Sequence, residues 1–110
     1  MGLDFTSIKD REGAAVYLLH NGQFEQQREL QRLFDALRPQ TTAQIELIDG
    51  TSLDGLKIQQ FYELGSDNFP HILIVRDDDE LAGQWDGSEQ PTTEELAFSV
   101  NSINGGAPAP

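Results

Sequence analysis

The chain contains no cysteine. That absence excludes disulfides, thiolate metal sites and every reaction that needs a thiolate nucleophile. It leaves the redox state of the compartment open. Lysine is scarce, with only Lys9 and Lys57, and seven basic residues stand against nineteen acidic ones for a formal net charge of −12. A phosphate backbone or an anionic lipid surface would be repelled by such a field, so neither nucleic acid nor a membrane is expected as a partner. No apolar run approaches the roughly 20 residues of a membrane span. The first residues, MGLDFTSIKDREG, lack the basic and then apolar pattern of a secretory signal, and a cytoplasmic location is the expectation.

What is present suffices for one folded domain. The 110 residues are 37% apolar, enough for a core without disulfide or metal staples. Residues 1–104 read as the domain, and Gly105-Gly106-Ala107-Pro108-Ala109-Pro110 as a flexible tail. The acidity has two readings: a surface that steers a basic protein partner, or plain solubility.

Leu3, Phe5 and Ile8 fit either a short strand or a helical turn. Ala14-Ala15-Val16-Tyr17-Leu18-Leu19 is apolar without alternation, as in a strand buried on both faces. A helix is predicted from about Gln23 to Leu37, with Leu30, Leu33, Phe34 and Leu37 forming one inward stripe and Pro39 ending it. Gln44–Ile48 is the next strand. A second helix is predicted from about Thr51 or Ser52 to Leu64–Gly65, with Leu53, Leu56, Phe61 and Leu64 inward and Gly65 as the residue just past its end. Gly55 weakens that helix by about 1 kcal/mol relative to alanine. Strands at about Ile72–Val75 and Leu81–Trp85 follow, with Asp77-Asp78-Asp79-Glu80 as their turn. Pro70 suits the opening of a strand because it supplies no ladder N–H. Thr92 and Glu95 have capping-box spacing before a last helix, about Thr93 to Ile103, that turns Leu96, Val100 and Ile103 inward. The order is β-α-β-α-β-β-α: an α/β domain with a mixed four-stranded sheet and helices on both faces, its first βαβ crossover right-handed.

That order, with a proline opening the third strand, resembles the thioredoxin fold over roughly residues 14–103. The residues that carry the resemblance are an apolar strand running into the first helix at Val16–Gln23, Gly65 five residues before Pro70, the apolar Phe69 before that proline, and a hairpin followed by Gly87. The resemblance implies a cis Phe69–Pro70 bond beside the first helix N-terminus. It also implies a groove there that holds an extended polypeptide by strand-like main-chain hydrogen bonds. Where the family carries its CxxC pair, this chain has Gln23-Phe24-Glu25-Gln26. Glutamine forms no thiolate, so the resemblance extends to fold and binding surface and argues against thiol–disulfide exchange.

The candidate binding residues are therefore Gln23, Phe24, Gln26, Asn68, Phe69 and Pro70. Phe24 lies outside the inward helical stripe and is expected to stand exposed beside Phe69 as an aromatic hot spot. The plainer alternative is that the proline only shapes a loop. The helix N-terminus at Gly22–Gln26 could take an anion or a partner carboxylate, or be simply capped. His20 and His71, the only two histidines, are expected near one another at the same end. A second reading makes the protein an enzyme of unspecified type that uses this pair without thiol chemistry. Neither has a partner at metal-ligand spacing, and Asp77–Glu80 lacks the alternation and glycine of a calcium loop. No cofactor, metal or catalytic residue is assigned. The first reading is a redox-inactive protein-binding, accessory or chaperone-like module whose partner is another protein, possibly a basic one.

Overall fold

The computed structural model describes residues 13–65, 67–76 and 80–103. The expectations on Leu3, Phe5 and Ile8, on Asp77–Asp79 and on the tail from 105 onward lie outside the described residues. Four strands, β1 (Ala15–His20), β2 (Gln44–Asp49), β3 (His71–Val75) and β4 (Leu81–Trp85), form one sheet in the order β2-β1-β3-β4. β1 runs parallel to β2 and antiparallel to β3, and β4 is antiparallel to β3. The described residues also form three helices: α1 (Phe24–Leu37), which ends in a 3₁₀ turn at Arg38–Gln40, α2 (Leu53–Phe61) and α3 (Thr93–Ile103). The result is a mixed four-stranded α/β domain, compatible with the thioredoxin-like arrangement expected from the sequence.

The unbroken apolar runs of β1 and β3 follow from their central position. Every residue of both strands is buried. Side chains alternate across a strand, so Val16, Leu18, Ile72 and Ile74 pack with Leu30 and Leu37 of α1 and with Leu96 and Val100 of α3. Ala15, Tyr17, Leu19, Leu73 and Val75 face the other way and pack with Ile58 of α2. α3 opens on the expected capping box: the Glu95 N–H donates to Thr92 Oγ1 at 3.1 Å, and the Thr92 N–H donates to Glu95 Oε1 at 3.2 Å. Its far end is tied down by a buried polar pair. Thr41 Oγ1 donates to Asn101 Oδ1 at 2.6 Å, and Asn101 Nδ2 donates to the Gln40 carbonyl at 3.0 Å.

The second helix differs from its expected form in extent and in rotation. It ends at Phe61, because Glu63 takes a left-handed φ of 55°. The Leu64 N–H then reaches the Gln59 carbonyl at 2.8 Å, and the Glu63 N–H reaches that of Gln60 at 3.3 Å. This is a Schellman stop with glutamate, not Gly65, at the left-handed position. Its buried face is Gly55, Ile58 and Gln59, whereas Leu53, Leu56 and Phe61 are exposed. The rotation is set by contact with the end of β2. A methyl on Gly55 would collide with the Asp49 carbonyl oxygen. Gln59 Nε2 donates to the Gly50 carbonyl at 2.7 Å. Backbone approach and one amide decide which face turns inward, and three apolar side chains stay outside.

Two stability changes of opposite sign are expected. Gly55→Ala gains about 1 kcal/mol of helix propensity but forces backbone apart, and overpacking of this kind costs more. A net loss of about 2 kcal/mol would lower the midpoint of a thermal melt followed by circular dichroism by roughly 10 °C. Glu63→Gly relieves a left-handed non-glycine residue and is expected to stabilise by about 1 kcal/mol. An unchanged melting point in Gly55→Ala would refute the packing account of α2.

Candidate binding site

The topology gathers four segments at one end of the sheet. β1, β2 and β4 all finish there and β3 begins there. The β1–α1 loop, the Asp49–Ser52 turn, the Gly65–Pro70 segment and the Asp86–Ser88 turn therefore lie together. In an open α/β sheet the crevice beyond the carboxyl ends of parallel strands is the usual place for a ligand.

The β1–α1 loop is held by its own side chains. The Gly22 N–H donates to His20 Nδ1 at 3.0 Å, with Gly22 in a left-handed conformation of φ 87°. The Gln23 N–H donates to Asn21 Oδ1 at 2.9 Å, and the Asn21 N–H to Gln26 Oε1 at 2.7 Å. A nitrogen that accepts carries no proton, so neutral His20 holds its proton on Nε2. Gln23, Phe24 and Gln26 then line an open hollow of about 510 Å³ together with Asn21, Glu25 and Glu29. Phe24 is 70% exposed, and the Arg28 guanidinium lies 5.7 Å from its ring centre. No side chain caps the first turn of α1 at Gln23, so free amides and a positive dipole end face this hollow.

On the other side of β1, the Phe69–Pro70 bond is cis and Asn68 adopts a left-handed φ of 59°. The Gly87 N–H donates to the Asn68 carbonyl at 2.6 Å. A methyl on Gly87 would stand 2.5 Å from the Phe69 carbonyl, which is the physical reason for glycine after the hairpin. The Phe69 main-chain N–H makes no hydrogen bond among the described residues. Its ring turns inward. It packs in the α2-side core and lies where a methyl on Gly50 would meet it at 2.6 Å. It also meets the His71 ring edge-on with centres 4.8 Å apart. Phe69 is half-buried and Pro70 is buried, so the expected exposed aromatic pair does not form: Phe24 stands out in solvent, while Phe69 fills the core behind Gly50. Of the six candidate residues, Gln23, Phe24 and Gln26 share one hollow. Asn68, Phe69 and Pro70 form a separate loop, and both groups converge on the end of β1.

The two histidines are not a pair. His71 sits opposite Leu19 in the β1–β3 ladder, and so shares the α2 face. His20, the next residue along β1, faces the α1 side, where it lies beside Asp49 in the parallel register. The sheet separates the two imidazoles, which corrects the expectation that they meet. Both are buried, His20 at 5% and His71 at 3% exposure. His71 Nε2 lies 2.9 Å from the Gly65 carbonyl, which can only accept, so that nitrogen carries the proton. His71 Nδ1 is buried and finds no hydrogen-bond partner among the described residues. Two carboxylates at this end serve their own turns. Hydrogen bonds from the Thr51 hydroxyl and N–H hold the Asp49 carboxyl below its ordinary range. The Ser88 hydroxyl and N–H do the same for Asp86. Among the described residues no group of three or more histidine and acidic side chains could hold a metal ion. None of their helices is long and apolar enough to cross a membrane.

Sequence reasoning missed Asp49, Gly50 and His20 as a junction. The Asp-Gly pair signals a turn, but nothing local says that a strand carbonyl, a helix glycine and an aromatic ring will converge there. No family model, curated protein or solved structure matches the chain.

A carboxyl whose folded pKa is depressed adds stability above its unfolded pKa and loses it as pH falls through the folded value. Asp49 and Asp86 therefore stabilise the turns at neutral pH and cease to do so in acid. Thr51→Val removes the hydroxyl donor, and Asp49 is expected to titrate at higher pH when its carboxyl carbon is followed by NMR. An unmoved titration would show that the threonine does not set it.

Proposed function

We propose that this chain is a redox-inactive, thioredoxin-like domain that binds another protein, in the cytoplasm, at the end of the sheet where the β1–α1 loop and the Asn68–Pro70 segment converge. The observation that carries this reading is Phe24. A phenyl ring 70% exposed on the first turn of a helix, in a hollow lined by Glu25 and Glu29, is surface a partner would cover.

The two glutamates of that hollow suit an extended, basic segment of the partner, and their charge must outweigh the positive end of α1 and the nearby Arg28. A partner's lysine or arginine gains cation–π attraction by sharing the Phe24 ring with Arg28 or displacing it, and Glu25 and Glu29 neutralise the added charge. The net charge of −12 would speed encounter with such a partner. The Phe69 N–H, which has no backbone partner among the described residues, offers one main-chain donor for an extended strand. With glutamine at both ends of Gln23-Phe24-Glu25-Gln26, the contact leads to no thiol exchange.

The test is binding of immobilised random peptides to the domain, followed by amide NMR with the best binder. Lys- and Arg-containing extended peptides are expected to be selected and to shift Gln23, Phe24, Glu29 and Phe69. Phe24→Ser alters an exposed position, so stability should stay within about 0.5 kcal/mol. Affinity should fall at least about tenfold, as for a hot-spot aromatic. Selection of peptides that shift only other faces, or full affinity in Phe24→Ser, would refute the site. Phe69 is unsuited as a probe because its ring is part of the core.

A further inference from the structure

The chain has two histidines, and each fastens one of the two loops that make up the proposed site. We infer that the two buried imidazoles act as separate proton-sensitive latches, one on the first turn of α1 and one on the Gly65–Pro70 segment, and that acidification releases both.

The two latches fail for different reasons. His20 Nδ1 accepts the Gly22 N–H at 3.0 Å. A proton on that nitrogen converts the acceptor into a donor, two N–H groups face each other, and the bond is lost. Gly22 immediately precedes Gln23 and Phe24, so the hollow loses its fixed entry. Asp49, the ladder neighbour of His20 on β2, has its carboxylate close to Gly22 as well, with Oδ1 3.5 Å from where a methyl on Gly22 would stand, and its charge acts on the imidazole. Glu25 and Glu29 of α1 line the hollow outside. His71 keeps its Nε2–H bond to the Gly65 carbonyl when protonated. The second proton, however, places a donor on Nδ1, which is buried without a partner. A buried donor with no acceptor is costly. Relief requires the ring or its loop to open toward water or toward Asp86, the carboxylate that acts on His71 from the end of β4. Asp67 stands beside Gly65 on the same segment.

The latches are properties of the free domain. Only their consequence, weaker partner binding in acid, rests on the function proposed above. The test therefore uses the uniformly ¹⁵N-labelled domain with no partner. Amide exchange, corrected for intrinsic pH dependence, and amide shifts are followed from about pH 8 to about pH 5. Protection of the Gly22 amide is expected to fall roughly fivefold, the equivalent of one neutral hydrogen bond, and Asn68 and Phe69 resonances are expected to move in the same range. His20→Asn keeps an acceptor at the Nδ1 position and His71→Gln keeps a donor at the Nε2 position, and neither titrates. The first should abolish the Gly22 response alone, the second the Asn68 and Phe69 response alone. Flat responses in wild type, or responses that persist in the matching variant, would overturn the inference. Should a variant fold poorly, the ring ¹⁵N shifts of wild type decide instead: neutral His20 or His71 carrying its proton on Nδ1 would overturn it. Failure here leaves the peptide-binding reading untouched, and full peptide affinity in Phe24→Ser, which refutes that reading, would leave the latches standing.

Discussion

The Asp49–Gly50 peptide is the point on which the site end of this domain depends. A strand that ends in the interior must find partners for its last N–H and C=O groups. Here the Gly50 N–H donates to the His20 carbonyl at 2.7 Å, and the Gly50 carbonyl accepts from Gln59 Nε2 at 2.7 Å. The Asp49 carbonyl accepts from the Ser52 N–H at 3.0 Å and its hydroxyl at 2.6 Å. Every one of these bonds needs close approach, and two glycines permit it. Gly50 leaves room for the Phe69 ring, and Gly55 lets α2 rest on the peptide itself. The junction thus joins the end of β1, the start of α2 and the loop before β3.

That constraint decides what kind of surface is left. α2 is rotated so that Ile58 and Gln59 turn inward, and Phe69 is drawn under Gly50. The proline loop then contributes backbone, not aromatic surface, to the site. The aromatic contribution comes from Phe24 alone, on a helix whose first turn is fixed by His20, Asn21 and Gln26 through local bonds. That arrangement is the basis for proposing recognition of an extended chain. The two imidazoles lie on opposite faces of the sheet. Their surroundings are nonetheless alike in kind: each ring is buried and bonded through one nitrogen to the backbone of a site loop.

Much of the fold was legible along the chain because its signals are local. The unbroken apolar runs at Ala15–Leu19 and Ile72–Val75 gave two central strands. The Leu30–Leu37 stripe gave a helix, and Thr92 with Glu95 gave a capped helix start. The site was legible in part. Phe24 stood outside its helical stripe and is exposed, whereas Phe69 looked equivalent and is not. The error at α2 has the same origin: Leu53, Leu56 and Phe61 have helical spacing and the right polarity, yet a glycine and a glutamine took the inward positions.

The sequence by itself determined the absence of thiol chemistry, the order of strands and helices, and the acidic field, since each is a property of residue type or of period along one segment. Tertiary structure alone decided which face of α2 is buried, which of the two phenylalanines meets solvent, and that His20 lies beside Asp49 in the ladder, on the face opposite His71. Those outcomes depend on contacts between segments tens of residues apart and on the parity of the strand ladder, where a shift of one residue exchanges the two faces of a sheet.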